Sequence, residues 1–179
     1  MLRRRDQEQD LAMNISKQDF RDSMANLAAS VNIITTDGAA GRAGITASAV
    51  CSVSETPPTV LICVNKTTRL HDIMVRNRVY CVNVLTAGDR HLSELFAKKV
   101  DMEERFNAGT WTTLATGAPI LVRAAASLDC RVVEEIKSES HTIFLGEVED
   151  CYIPDTDEDA LIYYRRAYRN ISRTAAPAR

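Results

Sequence analysis

None of the five cysteines in this 179-residue chain forms a CxxC pair, and none of its three histidines, His71, His91 and His141, stands at metal-ligand spacing from another. The cysteines, Cys51, Cys63, Cys81, Cys130 and Cys151, are odd in number and widely spaced. Most sit inside apolar runs, where a free thiol behaves as a small buried hydrophobe. That pattern argues against a metal site or a disulfide framework and fits a reducing cytoplasm. The seven glycines compose neither a GxGxxG turn nor a P-loop, which excludes nucleotide binding of those two kinds. There is no GxSxG elbow and no Ser-His-Asp assignment. No apolar run approaches the roughly 20 residues needed to span a bilayer. Neither sign of charge dominates: 22 Lys and Arg against 24 Asp and Glu give a formal net charge of -2. Nothing there favours nucleic acid or an anionic membrane as partner. Without a self-sufficient set of catalytic side chains, an enzyme built on this chain needs a bound cofactor to carry its chemistry.

What is present is an ordinary globular composition, 45% hydrophobic and 26% charged, at a length that suits one domain. Residues 1–13 read as a loose polar leader. Arg3, Arg4 and Arg5 are followed by the polar DQEQD where a signal peptide would place its apolar core, and Met13 is an alternative start. The domain is expected over 14–170, with a flexible tail over 171–179 that ends in RTAAPAR.

Hydrophobic periodicity places the elements. SKQDFRDSMANLAAS begins as a helix capped by Ser16, with Phe20, Met24, Leu27 and Ala28 on one face. VNIITT, TVLICVN, RVYCVNVL, ASLDCRVVEEIKS and HTIFLGEVEDCYI read as strands, and ALIYYRRAY as a final aromatic strand. KTTRLHDIMVRN turns helical with Leu70, Ile73 and Met74 as its buried stripe, and DRHLSELFAKK is a second short helix. Val100 to Pro119 reads as mixed and loop-rich. Strand and helix alternate too rarely for a doubly wound sheet, so the expected fold is mainly β, an antiparallel barrel decorated by helices.

Two places invite a ligand. GITASAVCSVSETPP, Gly44 to Pro58, begins as a strand in what reads as the most buried hairpin, yet carries Thr46, Ala47, Ser48, Ala49 and Ser52 where large apolar residues are usual. Side chains that small admit either a ligand or a closely packed helix. In NKTTRLHDI, Lys66, Thr67 and Thr68 stand where a strand ends and a helix starts. Free amides, two hydroxyls and an ammonium make a phosphate seat there, and ordinary capping by either threonine explains the same residues.

Taken together, FRDSMANLAASVNIITT, GITASAVCSVSETPP, YCVNVL, SHTIFLGEVED and LIYYRRAY resemble, in order and spacing, the flavin reductase-like family of split β-barrels. The chain is similar in particular to the small reductase components of two-component aromatic monooxygenases. The likeness runs from about Phe20 to Tyr168.

It implies that Thr46, Ala47, Ser48 and Ala49 lie against a flavin's isoalloxazine ring, with Ser52 and Ser54 toward the ribityl and phosphate end. Lys66, Thr67 and Thr68 would take the phosphate, and Lys98 would reach an FAD pyrophosphate unless it is simply a surface lysine. On the nicotinamide side it implies His141, Arg166 and Tyr168. His141 sits in Glu139-Ser140-His141 where relatives often read Gly-Asp-His, and its alternative is a solvated histidine at a strand start. Arg166 stands where many relatives carry glycine. The implied reaction passes a hydride from nicotinamide C4 to flavin N5, with no side chain required as acid or base. The implied cofactors are FAD, or FMN, and NADH, or NADPH. The implied partners are a second copy in a homodimer and a separate monooxygenase that takes reduced flavin by diffusion. Beside this stand a flavin carrier or sensor without turnover, a reductase serving a pyrimidine-degrading or other monooxygenase, and a pyridoxamine-phosphate-oxidase-like enzyme.

Overall fold

A computed structural model describes residues 15–172, so the expected leader, Met13 and the stretch 173–179 lie outside the described residues. Twelve strands are formed among them: β1 (Ala29–Ser30), β2 (Asn32–Thr36), β3 (Ala43–Ala47), β4 (Val50–Glu55), β5 (Pro58–Asn65), β6 (Val79–Val84), β7 (Trp111–Thr113), β8 (Pro119–Leu121), β9 (Ala126–Lys137), β10 (His141–Tyr152), β11 (Ala160–Tyr164) and β12 (Ala167–Ile171). Four α-helices accompany them: α1 (Lys17–Met24), α2 (Arg69–Asn77), α3 (Arg90–Ala97) and α4 (Met102–Asn107). None of the described helices is long and apolar enough to cross a membrane.

Seven strands make one sheet in the order β3-β2-β6-β9-β10-β5-β4, each pairing antiparallel. Its edge strands, β3 and β4, are consecutive in the chain and joined by Ser48 and Ala49 alone. Laid flat, seven strands would hold those edges about 29 Å apart. A two-residue link spans no more than about 11 Å. The sheet must therefore curl until its edges approach, which makes it a barrel split along the β3–β4 seam. The fold is mainly β with peripheral helices, as the sequence indicates.

Ile34, Ile62, Val64, Tyr80, Val82 and Phe144 fill the barrel, and α2 plugs it with Leu70, Ile73 and Met74. A second core, around Val31, Ile33, Leu85, Leu92, Phe96 and Phe106, packs α3 and α4 beside the small sheet β1-β11-β12. At β10, where the pairing with β9 slips between Leu145 and Gly146, a Cβ on Gly146 would run into the Tyr80 ring.

Four readings of the sequence need correction. The hairpin of VNIITT with the start of GITASA forms as β2–β3, but its second arm, read as running on to the prolines, is divided by the seam: β4 pairs with β5 and is exposed along nearly all its length. Cys51 is exposed with it, as is Cys151, so only Cys81 and Cys130 are fully buried thiols. Burial pushes the Cys130 thiol up to about 12. Val100 to Pro119 holds α4 and β7 and ends where β8 begins, elements too short to show a period. ALIYYRRAY is two strands, β11 and β12, folded back at Arg165 and Arg166, and β12 carries order to Ile171 inside the expected tail.

Gly146→Ala should destabilise the barrel by about 1–3 kcal/mol, as overpacking does. The double variant with Tyr80→Leu should lose less than the two single changes summed, read by chemical denaturation. Strict additivity would contradict the contact.

Candidate functional site

At the seam, the small residues that end β3 leave space above them. A cavity of about 510 Å³ is lined there by Thr46, Ala47 and Ser48, by Arg90 and Ala97 of the α3 region, and by Tyr163, Arg166 and Tyr168 of the β11–β12 hairpin. A second cavity, about 930 Å³, lies beyond Thr46 and is lined by Thr67, Thr68, Arg69, Lys98, Lys99 and Arg105 among others. Thr46 and Ala97 border both, so the two form one groove over the end of β3. Each cavity by itself falls within the range of volume that encloses cofactors and drug-sized ligands.

The groove is held open by a residue that the sequence reading missed, Ser93 of α3. Its carbonyl accepts the Thr46 hydroxyl at 2.6 Å, and its hydroxyl pairs with the Tyr168 hydroxyl at 2.8 Å. Ser93 is fully buried between Leu92 and Phe96, and a serine on the apolar face of a short helix was the available signal. The Tyr168 ring meets Tyr163 edge-on at 5.4 Å and has the Arg90 guanidinium 5.2 Å from its centre. It forms a fixed aromatic wall with a cation beside it.

Arg166 shares this end of the groove. Arg165 and Arg166 sit at φ of 49° and 58°, the left-handed region a two-residue hairpin turn demands. That is why glycine suits the position. Here the hairpin tip is fastened instead: Arg166 pairs with Asp22 of α1, and Arg165 binds the Asn26 side chain at 3.0 Å and the Ala25 carbonyl at 2.8 Å. The Arg166 hydrogen bond holds the Asp22 carboxyl below its ordinary range.

At the other end, Thr68 occupies the N-cap of α2, but its hydroxyl donates back to the Asn65 carbonyl at 2.8 Å. The Thr67 amide and hydroxyl both donate to Asn65 Oδ1 at 2.9 Å. Neither threonine side chain caps the helix, which removes the ordinary capping alternative. The His71 amide donates to the Thr68 carbonyl at 3.1 Å, which leaves the amides of Arg69 and Leu70 as the donors of this helix start, beside a cavity that Arg69, Lys98 and Lys99 make cationic.

The remaining expected residues are not gathered there in one chain. The Lys66 ammonium donates to the Ser138 carbonyl and, at 3.2 Å, to that of Glu139, so it pins the β9–β10 turn and borders neither cavity. His141 stands opposite Asn65 with Nδ1 2.8 Å from Ser140 Oγ, at the Lys66 side and outside the groove. Ser54 is opposite Thr59, six residues along β5 from Asn65 and thus about 20 Å away. Its hydroxyl is engaged with Thr56, and Ser52 is exposed on the same edge strand. Ala49 borders a further hollow of about 570 Å³ that meets the first cavity at Ser48, Tyr163 and Arg166 and where Phe20, Met24 and Leu27 overlie Cys51, Leu61 and Cys63.

The pattern of the family described as flavin reductase like domain matches residues 24–172, the stretch that builds both the barrel and the groove. The chain belongs to that family. One flavin reductase relative, FMN reductase (NADH) RutF of Yersinia enterocolitica, is 47% identical over 159 residues, 89% of this chain and 87% of its own. The NADH:FAD oxidoreductase SgcE6 of Streptomyces globisporus, solved with NAD and FAD fragments, superposes with a TM-score of 0.81 at 28% identity, covering 90% of this chain and 96% of its own. Nitrilotriacetate monooxygenase component B from Mycobacterium thermoresistibile gives a TM-score of 0.82 at 26% identity, with 91% of each chain covered.

Ser93→Ala and Tyr168→Phe should each cost about 1 kcal/mol in unfolding free energy. Together they should cost clearly less than the sum, because they break one shared hydrogen bond. Full additivity in a denaturation double-mutant cycle would contradict the Ser93–Tyr168 link.

Proposed function

We propose that the chain is an NADH-dependent flavin reductase that releases reduced flavin to a separate monooxygenase. The observation that carries this is the single groove over β3, small-floored at Thr46 to Ser48, aromatic at Tyr168 and cationic at Lys98. A flavin matches that order: a flat ring that needs room, a ribityl chain, then a phosphate. The residues present fit it, since the floor admits a ring and the uncapped start of α2 offers amides to an anion.

When bound, flavin supplies the hydride acceptor N5 for the nicotinamide C4. This chain's residues bind and orient. Thr46, Ala47 and Ser48 would form the floor under the ring, Lys98 would reach the phosphate beside Thr67 and Thr68, whose own donors are engaged with Asn65, and Tyr168 with Arg166 would flank the nicotinamide. Ser93 fixes the floor and the aromatic wall relative to each other, the kind of positioning on which transfer between stacked rings depends. Lys66 is better read as holding the 138–139 turn than as a phosphate ligand. Ser52, Ser54, Ala49 and His141 stay outside this assignment within one chain.

For the flavin, the name of the relative 47% identical supports FMN, while SgcE6 supports FAD. We place FMN first. NADH is the nucleotide in both names. The partner monooxygenase is supported by a relative that is itself a monooxygenase component named for nitrilotriacetate, an aliphatic compound. The aromatic partner and the pyrimidine-degrading partner are therefore separated only by coupling this chain to each oxygenase.

A homodimer is supported by the apolar surface around the 570 Å³ hollow. Phe20, Met24 and Leu27 are 56%, 47% and 62% exposed there, beside the exposed edge strand β4. The five free thiols suit a cytoplasmic setting.

Oxidation of NADH followed at 340 nm, with and without FMN, FAD or riboflavin, tests the proposal, and NADPH beside NADH ranks the nucleotides. Turnover proportional to added flavin is expected, with FMN and NADH favoured, from a species that sediments as a dimer. Tight flavin binding without turnover would replace the reductase by the carrier or sensor reading.

A further inference from the structure

Arg105 differs from every other arginine of the described chain in being nearly buried, 7% exposed. None of the ion pairs among the described residues includes it. Its guanidinium donates instead to three backbone carbonyls: Gly44 at 2.8 Å, Phe96 at 3.2 Å, and Lys98. Two of these close the C-terminus of α3, whose carbonyls carry the negative end of the helix. The third belongs to β3, two residues before Thr46. Nε is buried with no hydrogen-bond partner, and the residue forms part of the wall of the 930 Å³ cavity.

A buried cation offset only by neutral carbonyls is costly, and burial lowers the guanidinium's affinity for its proton. The same cavity holds Arg69, Lys98 and Lys99 against the carboxylates of Asp101 and Glu104, so positive groups outnumber negative ones. An anion entering it meets a guanidinium charge that no carboxylate offsets, on a side chain already anchored to three carbonyls.

We propose that Arg105 is a positioning residue that couples the flavin phosphate to the floor beneath the ring. An anion in the cavity fixes Arg105, and Arg105 fixes Gly44 and Lys98, so the height of β3 and the position of the lysine loop are set together. Gly44 has no latitude of its own, because a Cβ there would come within 2.6 Å of the Phe96 ring. The inference rests on the flavin reading of the groove. It makes Arg105 the residue through which the chain prefers a phosphorylated flavin to riboflavin.

The test compares FMN and riboflavin binding to the full chain by flavin fluorescence, in the wild type, Arg105→Lys and Arg105→Gln. The wild type should bind FMN at least about tenfold tighter than riboflavin, as a charge-assisted contact allows. Arg105→Lys keeps a charge but cannot hold three carbonyls. It should weaken FMN about tenfold while moving riboflavin by less than about threefold. Equal weakening of both flavins would mean a scaffold role only and would overturn the coupling, with the flavin reading intact. A wild type that binds neither flavin would sink the flavin reading itself. Should neither variant fold, the side-chain Nε–H resonance of Arg105 in ¹⁵N-labelled wild type decides. A shift with FMN and none with riboflavin supports the coupling, and no shift with FMN refutes it.

Discussion

The two-residue link between β3 and β4 is the constraint on which the rest depends. Because Ser48 and Ala49 alone join the outer strands of a seven-stranded sheet, the sheet has to close on itself. The closure turns Thr46, Ala47 and Ser48 into the lip of a barrel rather than the middle of a face. It also leaves β4 as an edge with its side chains in solvent and an apolar hollow beside it. One short connection thus generates both the groove proposed for flavin and the surface proposed for a second copy. Ser48 lines the cavities on both sides of the seam.

A lip made of small side chains has no stiffness of its own, and the surrounding helices supply it. Ser93 ties the Thr46 hydroxyl to the Tyr168 hydroxyl through one residue of α3. Arg105 ties the strand just before Thr46 to the end of the same helix. These hydrogen bonds, together with the packing of Tyr168 on the core around Leu92 and Phe96, hold the groove's geometry. This suits a site whose floor must remain small. The electrostatic gradient follows the same line, from the aromatic wall at Tyr168 to the lysine-bearing loop at Lys98.

How legible this was depended on how local each signal is. The buried stripe of α2 and the two long strands β9 and β10 are periodic over enough residues to be read directly. The small-residue run at the seam invited a close approach, and α3 comes near it through Thr46 and Ser93, but the run gave no sign that the chain leaves one strand pair for another in its middle. That switch is decided by long-range pairing, which no local pattern encodes. The β11–β12 turn was hidden because two arginines occupy a left-handed turn where glycine or asparagine would have advertised it. Lys66 was read as the ammonium of a phosphate seat, and Ser54 was placed by resemblance. Their hydrogen bonds to Ser138, Glu139 and Thr56 depend on turns whose geometry only the folded chain reveals. Arg105 acts through backbone carbonyls, which leave no trace in sequence, whereas Ser93 left one, a serine on the apolar face of α3.

The most direct measurement of the central claim is a crystal structure of the chain with FMN bound. The isoalloxazine ring should lie over Thr46, Ala47 and Ser48, with the phosphate at the start of α2 near Lys98. A flavin seated elsewhere, such as in the apolar hollow between α1 and β4, would contradict that claim.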